Sequence, residues 1–298
     1  MYISYSGYDT LESCRKSYYL GYIARLKPTK AENRVSMLYG DAVGKIFESF
    51  YSQEIWRANT TARLQALVQP TVERIVAKET EKGGVFHWTD PALKEGPNSL
   101  DEVIEDVRRT IPRGLSSIRE HGLLGLDARA ELVLDTDVGG HRIAGRADFV
   151  MTRHKTRDLV LIDGKGSRHR DKYTNARQLR WYAMLYQMRF GAVPERLGFL
   201  YWRSEPHESL DWSEVRSDEL EALRGAVLGA IAEIEGAKRD VERGASPYQL
   251  FPPTPGFACR FCKFLEQCPE GQKVLSADFK ARRSADRHGG VDEGDVCF

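Results

Sequence analysis

The chain has 298 residues, 41% of them hydrophobic and 10% aromatic, enough for a packed core, which excludes a disordered polymer. Its 44 basic and 43 acidic residues leave a formal charge of +1. That excludes a globally cationic nucleic-acid coat but not a cleft with locally basic walls and acidic metal ligands. No run approaches the roughly 18 apolar residues of a bilayer span, and MYISYSGYDT lacks the basic-then-apolar order of a secretion signal. A cytoplasmic, reducing setting is therefore expected, in which five cysteines are ligands or inert thiols rather than disulfides.

No internal repeat is present. A helix is expected from near Ser6 through the aromatic-rich SCRKSYYLGYIARL, with Pro28 stopping it. A second begins around Ser36 and carries GDAVGKIFESFYSQEIW, where Val43, Ile46, Phe47 and Phe50 recur at helical spacing and mark a buried face. Further helices are expected from about Asn59 to Lys82 and from Ser99 to His121, the latter opened by a Ser99–Glu102 capping box. GGVFHWTDPALKEGPN between them is loop material. RAELVLDTDV and HRIAGRADFVM alternate apolar positions on either side of a Gly139–Gly140 turn, a hairpin pattern. DLVLIDGKG is a nearly continuous apolar strand that ends in charge, as a buried strand does at the rim of a site. A helix from roughly Tyr173 to Phe190, a strand RLGFLYWR and a long helix from about Ser213 to Arg243 follow. The Pro-rich FPPTPG leads into the C-terminal cysteines, and the Arg-, Asp- and Gly-rich tail over 276–298 is expected to be disordered.

The chemistry concentrates at two strand ends, Asp148 in GRADFV and Asp163-Gly164-Lys165 in LIDGKG. Two carboxylates at the ends of neighbouring strands suit one or two hard divalent cations such as Mg2+ or Mn2+. Residues two apart on a strand face the same way, so Asp163 and Lys165 converge, with the Gly164 carbonyl available as a further oxygen ligand. A cation so held polarises a phosphoryl oxygen and activates water, and the lysine orients that water and offsets developing charge. An isolated Asp-x-Lys is far more often a surface ion pair. An Asp inside the apolar strand of GRADFV is more telling, because its charge must be satisfied somehow.

Taken in order, these segments resemble the PD-(D/E)XK nuclease superfamily, in the branch holding RecB and AddB nuclease domains and CRISPR-associated exonucleases. ISYSGYDTLESCRKSYYLGYI resembles that branch's opening Ser-x-Ser helix, and YGDAVGKIFESFY its first acidic helix. GRADFV and LIDGKG resemble its second and third catalytic motifs, and RQLRWYAML its Gln-x-x-x-Tyr helix. The resemblance implies an α/β, restriction-endonuclease-like fold: a mixed sheet flanked by helices, with a helical insertion over about 55–125 and a core over about 126–205. One nuclease domain would then cover 1–275. It implies Glu48, Asp148 and Asp163 as metal ligands, joined by the Gly164 carbonyl. Lys165 would assist the attacking water, and Gln178 and Tyr182, one helical turn apart, would contact phosphate or orient Lys165. Gly44 departs from the pattern, standing where the branch usually has a histidine ligand. The function implied is metal-dependent exonucleolysis of DNA ends in repair, recombination or phage or CRISPR DNA processing, with an oligomer or a recombination or CRISPR complex as partner. The alternative is a DNA-end-binding accessory protein that has lost catalysis.

Cys259-x2-Cys262-x5-Cys268 is compact enough to wrap one metal centre, and the fourth ligand is Cys14 or Cys297. Four thiolates suit an iron–sulfur cluster or tetrahedral zinc, and buried inert thiols are the bland alternative. The resemblance selects Cys14 and a 4Fe–4S cluster in a C-terminal region over 251–270, with a structural role joining the two chain ends. Arg15, Lys16, Arg168, His169, Arg170, Lys172 and Arg180 are candidate backbone contacts for DNA or ordinary surface, while Trp181 and Tyr186 are expected in the core. No GxxxxGK[ST] loop is present, so no ATPase motor is encoded.

Overall fold

A computed structural model describes residues 1–27, 32–82, 85–88, 98–124, 127–166 and 175–276. The chain forms two compact units, one of residues 1–5 and 32–229 and the other of 6–31 and 230–298. Pro28, most of the 83–97 loop, the basic stretch from Arg168 to Lys172, and 277–298 with Cys297 lie outside the described residues.

In the first unit, strand β1 (Tyr2–Ser4) is followed, beyond the second unit's N-terminal segment, by β2 (Glu32–Arg34) and helix α3 (Val35–Ser52). Helix α4 (Thr60–Glu81), strand β3 (Val85–His87) and helix α5 (Leu100–Glu120) come next. Strands β4 (Arg129–Val133), β5 (Thr136–Val138), β6 (His141–Ala144), β7 (Arg146–Thr152) and β8 (Leu159–Lys165) precede helix α6 (Ala176–Phe190). Strands β9 (Arg196–Tyr201) and β10 (Leu210–Glu214) complete the sheet, and helix α7 (Ser217–Glu242) follows.

The main sheet has the order β10-β9-β8-β7-β4, parallel only at β8–β9. The expected hairpin forms, but it serves two sheets. Its outer arms, β4 and β7, join the main sheet, while β5 and β6 pair with each other and β6 runs parallel to β1. The Gly139–Gly140 turn takes positive φ of 57° and 81°, which glycine adopts without a Cβ clash.

Helix α3 lays Val43, Ile46, Phe47 and Phe50 into the core, as its periodicity predicts, against Phe149, Met151, Val160 and Ile162 of the sheet and Val107 and Ile111 of α5. Phe47 stacks on Trp202, with centroids 4.1 Å apart and planes 2° from parallel. A Cβ on Gly114 would stand 2.4 Å from Phe47, and one on Gly164 would stand 2.8 Å from the Trp202 indole nitrogen. Close packing against Trp202 thus requires glycine at 164 of β8. At the start of α5, Ser99 accepts from the Glu102 amide at 3.2 Å, but the Glu102 carboxylate reaches the Asn98 amide rather than that of Ser99, so the expected box is displaced by one residue. The helix expected from Ser213 begins later, at Ser217, because Leu210–Glu214 pairs antiparallel with β9 as an edge strand. Trp181 is fully buried, whereas Tyr186 is half-buried and packs on Phe190.

In the second unit, the expected long N-terminal helix is interrupted. Helix α1 (Tyr5–Ser13), whose first residue is counted with the other unit, ends before Cys14, whose backbone is extended at φ −161°, ψ 107°. Helix α2 (Arg15–Tyr18) and a π turn over Tyr19–Ile23 follow. The interruption coincides with two contacts distant in sequence: the Cys14 thiol accepts from the Thr254 amide at 3.5 Å and Lys16 donates its amide to the Pro252 carbonyl at 3.2 Å. The latter half of α7, the short helix α8 (Pro247–Leu250) and 3-10 turns over Phe257–Phe261 and Leu265–Gln267 complete this unit.

Candidate active site

The site grows from the edge where β7 and β8 meet. Their antiparallel register pairs Phe149 with Ile162, and one step further places Asp148 opposite Asp163. The Gly164 amide donates to Asp148 Oδ2 at 2.9 Å, which ties the two strands at this point. Alternation along β8 sends Val160 and Ile162 into the α3 core and leaves Asp163 and Lys165 on the opposite side, where helix α6 delivers Gln178 and Tyr182.

Gln178 is the hub. Its Nε2 donates to Asp163 Oδ1 and to the Tyr182 hydroxyl, each at 3.1 Å, while its Oε1 accepts from Lys165 Nζ at 3.1 Å. Lys165 Nζ lies 2.6 Å from Asp163 Oδ2. Asn175 caps α6 by accepting from the Arg177 amide at 3.0 Å, and the helix is described from Ala176, the expected start at Tyr173 lying outside the described residues. The structure therefore brings Asp148, Asp163, Gly164, Lys165, Gln178 and Tyr182 into one constellation.

Burial shapes the electrostatics. Asp163 is 3% exposed, and burial raises its carboxyl above the ordinary carboxylate range despite the opposing Lys165 ammonium. Burial, and after it the Asp163 carboxylate, pushes Asp148 up to about 7. Burial likewise pushes the Tyr182 hydroxyl up to about 12, so it remains protonated at neutral pH. Among the described residues Lys165 is the cation that acts against the raised affinity of both carboxylates for a proton. That donor set fits a hard divalent cation. Among the described residues no three His, Cys, Asp or Glu side chains, the cavity cysteines of the second unit included, converge closely enough to hold an ion, and the Lys165 ammonium lies on Asp163 Oδ2 at 2.6 Å.

The contacts of Glu48 run along α3 rather than to Gln178 or Lys165. Its carboxylate pairs with Lys45 at 2.5 Å, one helical turn back. A Cβ on Gly44 would meet nothing within 4 Å, so the helix is open where a larger residue would project. Lys45 also reaches Glu131 of β4 at 3.8 Å, and Arg146 Nε lies 2.6 Å from the same Glu131 oxygen. Glu131 was not among the residues expected here. Its signal was present nonetheless: Glu131 precedes Gly139 by as many positions as Asp148 follows Gly140, so a two-glycine turn sets them across from each other.

In the second unit, Cys14, Cys259, Cys262 and Cys268 are half-buried free thiols lining one cavity of about 190 Å³. Backbone amides point at two sulfurs, Thr254 N at Cys14 Sγ (3.5 Å) and Gly256 N at Cys259 Sγ (3.4 Å). Burial raises the Cys268 thiol. Lys16 lines the same cavity, is 2% exposed and pairs with Glu270 at 2.7 Å, which corrects its reading as a surface contact for DNA. Arg15 is held by both oxygens of Glu233 at 2.6 and 2.8 Å, and Arg180 is held by Glu219 at 2.9 Å, so these two cations also have internal partners.

No helix among the described residues is long and apolar enough to cross a membrane. No curated protein matches the chain. Among solved structures it is similar to SSO0001, at 18% identity over 86% of this chain and 94% of that one with a TM-score of 0.29. It is also similar to a protein from Eubacterium rectale whose name carries the word exonuclease, at 12% identity over 99% and 91% of the two chains with a TM-score of 0.42. The family model of the PD-(D/E)XK nuclease superfamily matches residues 2–269, a span that contains the Asp148–Asp163–Lys165 constellation and all four cavity cysteines. The chain belongs to the PD-(D/E)XK nuclease superfamily.

Proposed function

We propose that this chain is a divalent-metal-dependent deoxyribonuclease, an exonuclease that hydrolyses phosphodiester bonds at DNA ends. The observation that carries this reading is the network joining Asp163, Lys165, Gln178 and Tyr182 beside Asp148. Asp148 and Asp163 offer carboxylates to Mg2+ or Mn2+, the Gly164 carbonyl is a further oxygen, and Glu48 contributes a carboxylate from α3. When bound, the cation polarises the phosphoryl oxygen and lowers the pKa of its water. Lys165, held between Asp163 and Gln178, orients the attacking water and offsets the charge that develops on the phosphoryl group. Gln178 keeps Lys165 aimed, and Tyr182 presents a protonated hydroxyl to substrate phosphate. The intact lysine network supports hydrolysis over the reading in which Gly44 marks a protein that binds DNA ends without cutting. Incubation with labelled linear DNA and Mn2+ should shorten the strands from their ends and leave a covalently closed circle of the same sequence intact. Loss of the closed circle at the same rate contradicts the exonuclease reading, and survival of both under either metal contradicts catalysis.

We further propose that Cys14, Cys259, Cys262 and Cys268 hold a 4Fe–4S cluster with a structural role. Four thiols lining one cavity and the amides aimed at two of them support it. Anaerobically purified protein should be brown and contain iron and sulfide; a colourless protein with stoichiometric zinc overturns this assignment.

A further inference from the structure

The segment of the second unit that carries the C-terminal cysteines divides its aromatic residues sharply. From Phe251 to Leu265 it reads FPPTPGFACRFCKFL, with two cations, Arg260 and Lys263, and no carboxylate, in a chain whose acids and bases balance. Phe251 and Phe264 are fully buried. Phe257 and Phe261 stay outside at 67% and 65% exposure, the most exposed large apolar side chains among the described residues. Single exposed apolar residues need no explanation. These two lie edge to face, with centroids 5.7 Å apart and planes at 63°, and so make one patch.

The patch is held in place by its backbone. Both rings stand on the 3-10 turn Phe257–Phe261, where the Cys259 amide donates to the Gly256 carbonyl at 3.0 Å and the Cys262 amide to the Cys259 carbonyl at 3.2 Å. Three residues on, Phe264 anchors the segment: a Cβ on Gly21 would stand 3.1 Å from its ring. Positive charge is laid against the aromatics. The Arg260 guanidinium is 5.0 Å from the Phe257 centroid, and the Lys263 ammonium is 5.4 Å from that of Phe264.

Size and charge together select the occupant. A buried aromatic side chain covers about 150–250 Å2, so the pair falls short of the roughly 800 Å2 per partner of a stable protein interface. A nucleobase matches a single ring and needs only its π-face to stack, while its phosphates are drawn to neighbouring cations. Base faces are open in a single strand and covered in a duplex. We propose that Phe257 and Phe261, with Arg260 and Lys263, form a stacking platform for the unpaired bases of single-stranded DNA. That the polymer is DNA rests on the deoxyribonuclease reading.

The test measures fluorescence anisotropy of labelled oligo(dT) and of a blunt hairpin duplex on the full chain, without divalent cations so that no cleavage intervenes. One variant joins Phe257→Leu with Phe261→Leu, which keeps apolar bulk but cannot stack. A second joins Phe257→Tyr with Phe261→Tyr, which keeps the stack. The leucine pair should bind oligo(dT) about 25-fold more weakly or worse, from two stacks of about fivefold each. The tyrosine pair should bind as the native chain does, and duplex affinity and unfolding temperature should be alike in all three. Native oligo(dT) affinity in the leucine pair overturns the platform, as does an equal loss in the tyrosine pair or an equal loss for the duplex. If the leucine pair keeps its oligo(dT) affinity but loses a self-association that sedimentation shows in the native chain, the rings hold a second copy and the platform is likewise overturned. Ring-dependent oligo(dT) binding by a chain that cuts no DNA with Mn2+ upholds the platform and overturns the nuclease reading alone.

Discussion

Gln178 makes three contacts with one side chain, to Asp163, Lys165 and Tyr182, so its loss should release the lysine without removing it. Gln178→Ala is expected to lower kcat on DNA by about 10- to 100-fold with little change in KM, the signature of misplaced rather than missing chemistry, read in steady-state assays. Asp148 carries a different prediction. Its carboxyl is raised to about 7 by burial and by Asp163, so in the metal-free protein the favourable, protonated form is fully present below the ordinary carboxylate range and lost as pH rises through about 7. Asp148→Asn should therefore match the native stability near pH 4 and exceed it by about 1–2 kcal/mol at pH 8 in urea unfolding. The same protons compete with the cation, so Mn2+ affinity should fall steeply as pH drops below 7. The convergence of Asp163 and Lys165 was legible in the sequence because they are two apart on a strand, whereas Gln178 and Tyr182 were expected here only through the family resemblance, Gln178 meeting Asp163 and Lys165 across 15 and 13 positions. Glu131 required a count across a hairpin, and Lys16 could not be placed at all, because what buries and pairs it is Glu270, 254 positions away.

At the scale of elements, the site rests on a packed stack. Gly114 of α5 admits Phe47, Phe47 lies flat on Trp202, and Trp202 lies under Gly164, between Asp163 and Lys165 of β8. Gly164→Ala should therefore destabilise the fold by about 1–3 kcal/mol, the usual range for overpacking, and reduce activity by displacing Asp163 and Lys165, measured by denaturant unfolding and by cleavage rate. Gly44→Ala should act in the opposite sense. Its Cβ meets open space inside a helix, so a gain of up to about 1 kcal/mol is expected. Helices α3, α4 and α5 and the strands around the motifs follow from apolar periodicity and caps. The departures are where tertiary pairing overrides local preference. β9 captures Leu210–Glu214 as a strand ahead of the expected helix, Cys14 leaves helical geometry where the chain meets residues 252–254, and one hairpin is divided between two sheets.

At the scale of the molecule, the chain sets its proposed chemistry and its cysteines in separate compact units, each held by its own contacts. Within the second unit, residues 6–31 meet residues 230–276 at Arg15–Glu233, Lys16–Glu270 and the cysteine cavity, so a group held there would act as a staple in the manner of a structural metal. Cys268→Ser should lower iron content and the unfolding temperature together. Unchanged stability with iron lost would show that the staple is dispensable. The central claim is that Asp148, Asp163 and Lys165 hydrolyse DNA with a divalent cation. It is tested most directly by single-turnover cleavage of 5′- and 3′-labelled single- and double-stranded DNA with Mn2+ or Mg2+, comparing the native chain with Lys165→Ala. The expected result is metal-dependent release of short products by the native chain and a loss of at least about 1000-fold in rate in the variant, with Mn2+ binding retained. Equal rates in the two proteins, or no cleavage by the native chain with either metal, would contradict it.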